Sequence, residues 1–200
     1  MQQNVNPQDP SLQQNINPQD PNLIFNTPRS PQWGAVKAAH LAKENSCVAC
    51  KLQGQGLLQV HHIIPFQYCT ALGRPELEFN PANLITLCEG PGTKEHHIAV
   101  GHLGDFQWFN QDVATDVSGP WKDLDNETIE GDADYTSRKR WPTKPLSADD
   151  ITNLTALMVK WYGPKPQESI DQLIAQWYPR QVASGSIPPT DASGIQGSMV

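Results

Sequence analysis

Two hundred residues with 14 Lys plus Arg, 21 Asp plus Glu and a net charge of −7 leave room for one ordinary domain with tails. That balance argues against non-specific binding of a polyanion over the whole surface, so any polyanion must be gripped locally. Only 38% of the residues are hydrophobic, and 18 Pro with 14 Gly favour turns, so part of the chain is not expected to pack. No run approaches the ~18 apolar residues of a membrane span. Met1 to Pro10 lacks both the basic and the apolar region of a secretion signal, and the expectation is a cytoplasmic protein with no membrane partner.

Residues 2–12 and 13–23 are a tandem repeat (QQNVNPQDPSL, QQNINPQDPNL) with two Pro per unit and few apolar side chains. Neither helix nor sheet suits it, and 1–29 reads as a disordered arm. A helix is expected over Pro31–Asn45, where Trp33, Val36, Ala39 or His40 and Leu41 recur at helical spacing. Leu57–Ile64 and Leu84–Cys88 read as strands, joined by a loop that holds Cys69 and Arg74. Beyond the turn at Glu89–Gly92, Thr93 is expected to cap a short helix through Val100 that Gly101 ends. Further helical stretches are expected at Asp105–Asn110 and over Asn126–Arg140. Ser147 and Ile170 open two better amphipathic helices, separated by Gly163-Pro164-Lys165-Pro166 and expected to form a hairpin on the core. From Gln181 the Ser, Gly and Pro content returns. The expected organisation is an arm (1–29), a core (30–115), a helical extension (116–180) and a disordered tail (181–200).

All six histidines fall between His40 and His102, and five form two clusters, His61-His62 and His96-His97 with His102. Together with the cysteines they supply the ligand types a divalent metal prefers. Cys47, Cys50 and Cys88, with His96 as nearest fourth ligand, suit a closed tetrahedral zinc site, which leaves Cys69 as a packed free thiol. On a strand, His61 and His62 point to opposite faces, so one can bind a metal while the other faces a water or a substrate. A metal beside an imidazole base is the equipment for phosphodiester hydrolysis.

The run Leu58 to Pro65 (LQVHHIIP), then Asn83 to Cys88 (NLITLC), then His96-His97 resembles the HNH endonuclease family, in which strand, loop, strand and helix form a ββα-metal (His-Me finger) core. The resemblance implies an α+β fold with flanking helices and a metal-dependent enzyme that cuts DNA. It makes His61 a ligand of the catalytic ion, His62 the general base, Asn83 the residue that holds the loop and orients the base by hydrogen bonding, and His97 the second ligand. The ion would be Mg2+, Mn2+, Ni2+ or Zn2+. The cysteines with His96 resemble the family's zinc knuckles, although Glu89 to Glu95 lengthen the connection and His96 stands where a Cys is common.

A third ligand in the family often lies four residues past the last motif His; here His102 lies five past His97. Five α-helical residues turn about 500°, roughly 140° out of alignment, so His102 joins only if the helix ends at Gly101 and the chain turns back. For gripping DNA, the one dense basic cluster is Arg138, Lys139 and Arg140 with Trp141 and Lys144. The competing reading is a zinc-stabilised module on the same scaffold that binds DNA or protein without cutting.

Overall fold

Val60, Ile85, Thr86 and their neighbours suit a pleated surface, and strands β1 (Leu58–His62) and β2 (Leu84–Cys88) pair antiparallel with Leu58 opposite Cys88 and His62 opposite Leu84. Every β2 residue is buried, because both faces of this two-stranded sheet are covered. On one face Ile85 and Leu87 join Val100, Leu103, Val117 and Trp121. On the other, Val60 and Leu84 meet Val36, Phe79 and Tyr178. The structure is a computed structural model that describes residues 27–139, 141–142 and 146–179. The repeat arm to residue 26, Arg140, Lys144 and the tail from residue 180 lie outside them.

Helix α1 (Trp33–Lys43) forms where its periodicity predicts and packs against β1. The connection between the strands, expected to be a plain loop, holds α2 (Phe66–Ala71) and two tight helical turns, Pro75–Glu78 and Pro81–Asn83. Pro65 fixes its entry, the Pro65 carbonyl accepts from Tyr68 and Cys69 N–H, and Phe66, Tyr68 and Cys69 are buried beneath it. Cys69 is a fully buried free thiol, as expected.

After β2 the expected α-helix is instead a π-helical turn, His97–Gly101, closed by a bond from the His102 N–H to the His97 carbonyl. Thr93 does not cap it. Its hydroxyl donates to the Gly90 carbonyl and accepts from the Glu95 N–H, which folds the preceding turn. The Asp105–Asn110 segment is not helical either: Asp105 turns back onto the Gln107 N–H, and β3 (Trp108–Phe109) pairs with β4 (Trp141–Pro142). Helix α3 (Val113–Ser118) follows, then α4 (Asn126–Glu130) and α5 (Tyr135–Arg138), two short helices interrupted at Gly131 where one loose helix is expected.

Helices α6 (Ala148–Tyr162) and α7 (Ile170–Trp177) begin as the sequence predicts, each at a reciprocal cap, Ser147 with Asp150 and Ser169 with Gln172. They join different clusters rather than closing on each other as a hairpin. Leu154 and Met158 of α6 pack on Ile64, Tyr68 and Leu77, whereas Ile170 and Ile174 of α7 pack beside α1. Trp161, expected in the α6 stripe, keeps 38% of its surface exposed. The whole is a mixture of helices with two small antiparallel sheets, an α+β arrangement. Among the described residues no helix is long and apolar enough to cross a membrane.

Candidate metal centres

Two groups of ligand-type side chains converge, each with its donor atoms within 4.8 Å of one another. In the first, a turn after α1 brings Cys47 and Cys50 to the end of β2, pinned there by a bond from the Val48 N–H to the Thr86 carbonyl. His96 Nδ1 lies 3.5 Å from Cys47 Sγ and 3.2 Å from Cys88 Sγ, and Cys50 Sγ lies 3.9 Å from Cys88 Sγ. Bonds of ~2.3 Å to sulfur and ~2.0–2.1 Å to nitrogen around a tetrahedral zinc imply edges of about 3.8 Å between sulfurs and about 3.6 Å from sulfur to nitrogen. The donors present fit that ion. Cys47, Cys88 and His96 have no exposed surface, and His96 Nε2 donates to the Leu124 carbonyl at 2.8 Å, which directs Nδ1 toward the sulfurs. The hydrogen bond from Cys47, reinforced by His96, pulls Cys88 down to about 3, while the same bond and burial push the Cys47 thiol up.

The second group is His61, His97 and His102. His61 comes from β1; the other two close the π-turn, whose bond between residues five apart sets them side by side. Ring centroids are 5.3 Å apart for His61 and His97, 4.8 Å for His61 and His102, and 4.9 Å for His97 and His102. Gly101 makes room for this. A Cβ there would stand 2.9 Å from His61 Nδ1 and Cε1, so the glycine serves a close approach rather than a helix stop.

The ring nitrogens are suited to a cation. His102 Nδ1 donates to the Trp108 carbonyl at 3.0 Å, and His97 Nδ1 donates to Glu89 Oε2, which leaves Nε2 of each ring as the nitrogen with a lone pair. His61 Nε2 is buried with no hydrogen-bond partner, a polar atom that an ion would satisfy. Burial, with the neighbouring histidines adding to it, pushes His61 well below its ordinary 6.5 and His102 to about 4, so both rings are neutral and able to ligate near neutral pH. The donor set fits a divalent metal that accepts imidazole nitrogen.

His62 faces the other side of β1, its ring 4.6 Å from that of Trp33 and tilted 36° to it, and its Nε2 donates to the Glu78 carbonyl at 3.0 Å. Arg29 Nη1 lies 3.4 Å from His62 Nδ1. Burial first and Arg29 second lower His62 to about 3. Asn83 is fully buried and holds the interstrand connection: Oδ1 accepts from the Ile64 N–H and from Tyr162 Oη, both at 2.8 Å, and Nδ2 donates to the Ile64 and Leu77 carbonyls at 3.0 Å. None of these bonds reaches His62. Asn83 bonds instead to the carbonyl of Leu77, the residue before the Glu78 whose carbonyl accepts from His62.

A cavity of about 330 Å³ opens on His61, His62, His97 and His102, lined also by Arg29, Trp33, Lys37, Phe66 and Phe106. The basic cluster expected to grip DNA lies elsewhere. Arg138 is bidentate to the buried Asp116 carboxylate at 2.9 and 3.1 Å, Lys139 sits 5.0 Å over the Tyr135 ring, and Arg140 is outside the described residues. Sequence reading missed Arg29 and Glu89. Arg29, placed in the arm, packs 3.9 Å over Phe66 and 4.5 Å from Trp33; the signal was that it is the first cation of the chain, four residues before an aromatic helix start. Glu89 was read as part of a turn, and nothing local marks it as the partner of His97.

Residues 47–91 match the family model described as HNH endonuclease, a stretch that runs from Cys47 through both strands to the turn past Cys88. The match supports the resemblance read from His61, His62 and Asn83, and stops short of His96, His97 and His102. No curated protein and no solved structure matches the chain.

Proposed function

We propose that the chain is a metal-dependent HNH endonuclease that hydrolyses DNA phosphodiester bonds on a ββα-metal core, with a structural zinc on Cys47, Cys50, Cys88 and His96. The observation that carries this reading is the buried, unpartnered His61 Nε2 amid His97 and His102, on the wall of a cavity that also holds His62. His61, His97 and His102 would hold the divalent ion, which would supply positive charge to offset the charge that develops on the phosphate. His62 takes the proton of the attacking water as oxygen bonds to phosphorus; the ester bond breaks, and the leaving oxygen takes a proton from solvent. Glu89 and the Trp108 carbonyl hold the rings of His97 and His102, and Asn83 holds the connection that seats His62. Supercoiled plasmid incubated with the protein and Mg2+, Mn2+, Ni2+ or Zn2+ should be nicked, and an EDTA control should stay closed. Closed plasmid together with an uncut single-stranded oligonucleotide, with all four ions, overturns the enzyme.

One observation favours the second reading, a zinc-stabilised module that binds without cutting. A nitrogen held at about 3 is a feeble proton acceptor at neutral pH, where a base poised near the working pH is most efficient. Against it stands Glu89, since a carboxylate that aims His97 at His61 and His102 serves a metal site rather than a binding surface.

A further inference from the structure

The cavity over the histidines differs in charge from the chain that builds it. Net charge is −7, yet among the described residues the wall includes Arg29 and Lys37 and not one Asp or Glu. Trp33 and Lys37, four apart, share one face at the start of α1, and Arg29, in the segment before the helix, packs back 4.5 Å over the Trp33 ring. The Arg29 side chain is 41% exposed, with Nη1 3.9 Å from the buried Glu78 carboxylate, and Lys37 Nζ is held at 2.7 Å by Gln59 Oε1.

The lining also carries an exposed aromatic ring. Phe106 keeps 59% of its surface exposed, and its ring lies 4.6 Å from that of His102 and 6.1 Å from that of His97. The backbone is bent to put it there: Leu103 and Gly104 are both left-handed, at φ 51 and 83, and a Cβ on Gly104 would stand 2.9 Å from Tyr135 Oη. One cavity therefore counts two cations, an exposed ring and the three histidines among its lining residues. That is the chemistry of a nucleotide with its base out of the stack.

Resting on the nuclease reading above, we propose that the nucleotide beside the cut is held across this cavity, its phosphate by Arg29 and Lys37 and its base against Phe106, so that the substrate is DNA already open at that point. Two cations are few for a duplex, whose binders commonly neutralise about 6–10 phosphates, and the acidic remainder of the surface adds repulsion. Single strands are held by bases stacked on aromatic rings beside cations that meet the backbone, and the stacking tolerates any base.

The test uses the zinc-loaded full chain with no other ion added, and a short fluorescein-labelled oligonucleotide presented single-stranded, gapped and fully duplex. Anisotropy should show the single-stranded and gapped forms bound more tightly than the duplex. Phe106→Ala should weaken single-strand binding by about tenfold and Phe106→Tyr should restore it, while Arg29→Gln with Lys37→Gln should flatten the salt dependence by about one to two counterions. The exposed position of Phe106 makes misfolding a poor explanation for a loss, and melting curves check it. Duplex bound as tightly as single strand, or Phe106→Ala binding like the parent, overturns the proposal. The nuclease reading fails separately: single-strand preference lost in Phe106→Ala, with no cutting by any ion, keeps this cavity and sinks the enzyme, whereas cutting that favours duplex does the reverse.

Discussion

The two metal-ligand groups lie on the same short stretch of chain and are finished in opposite ways. The cysteine group has four donors, three of them without exposed surface, and its distances close a tetrahedron. The histidine group has three donors and opens on a cavity. A site whose protein ligands fill the coordination sphere holds structure together, and one that stops at three keeps a position for water or substrate. The number of donors and the exposure of the centre, more than the kind of metal, separate a brace from a reaction site.

That contrast is broken most severely at the brace. Cys50→Ser or Cys88→Ser should release zinc and abolish the cooperative melt, because apparent zinc binding of ~10–16 kcal/mol is comparable to or larger than the ~5–15 kcal/mol that holds a domain folded. Metal analysis with thermal melting checks it, and a variant that keeps both zinc and melting temperature would make the cysteine group a bystander. At the open centre the loss should fall on rate. His62→Ala should keep fold and ion while cleavage drops by ~10²–10⁴, whereas His61→Ala should also weaken ion binding, since only His61 offers a ligand nitrogen. An ion lost from His62→Ala and kept by His61→Ala would exchange the two roles. Smaller again is Glu89→Gln, expected to cost ~10–100-fold in affinity for the catalytic ion with zinc content unchanged, read by calorimetric titration of zinc-loaded protein.

Acidification sharpens the comparison further. His62 and His102 are held at about 3 and about 4 in the fold, below the 6.5 of an open chain. As pH falls below about 6.5, the unfolded chain binds protons that the folded one refuses. The stability lost is ~1.4 kcal/mol per pH unit for each ring, down to the folded value, and above about 6.5 it is fully present. Urea midpoints between pH 7 and 5 should show this slope, reduced in His62→Ala; an unchanged slope in that variant would remove His62 from the account.

What could be read beforehand was local. β2 was legible to the residue because Leu84–Cys88 is β-prone and entered through Asn80-Pro81, and the start of α6 was legible because Ser147 with Asp149 and Asp150 is written in adjacent letters; α7 was read from its apolar stripe, and its cap, Ser169 with Gln172, was not. The pairing of β3 with β4 was not, since two-residue strands more than 30 positions apart carry no periodic signal. His102 was out of phase only under α-helical spacing. Two histidines five apart are the spacing of a π-turn, and the Gly before the second leaves room for His61. Arg29 and Glu89 went unread because their significance lies in what they touch, His62 and His97, which are distant in sequence or across a turn.

The chain alternates between the two centres at adjacent residues. Cys88 belongs to the cysteine group and Glu89 braces the histidine group; His96 belongs to the first and His97 to the second. Two peptide units are thus common to both, and filling one centre fixes backbone that the other requires. By thermodynamic reciprocity, whatever factor zinc adds to the affinity of the open site, an ion there must add to the hold on zinc. A chelator that drains the brace would therefore act as a remote inhibitor of the open centre, and substrate-side metal would slow its escape.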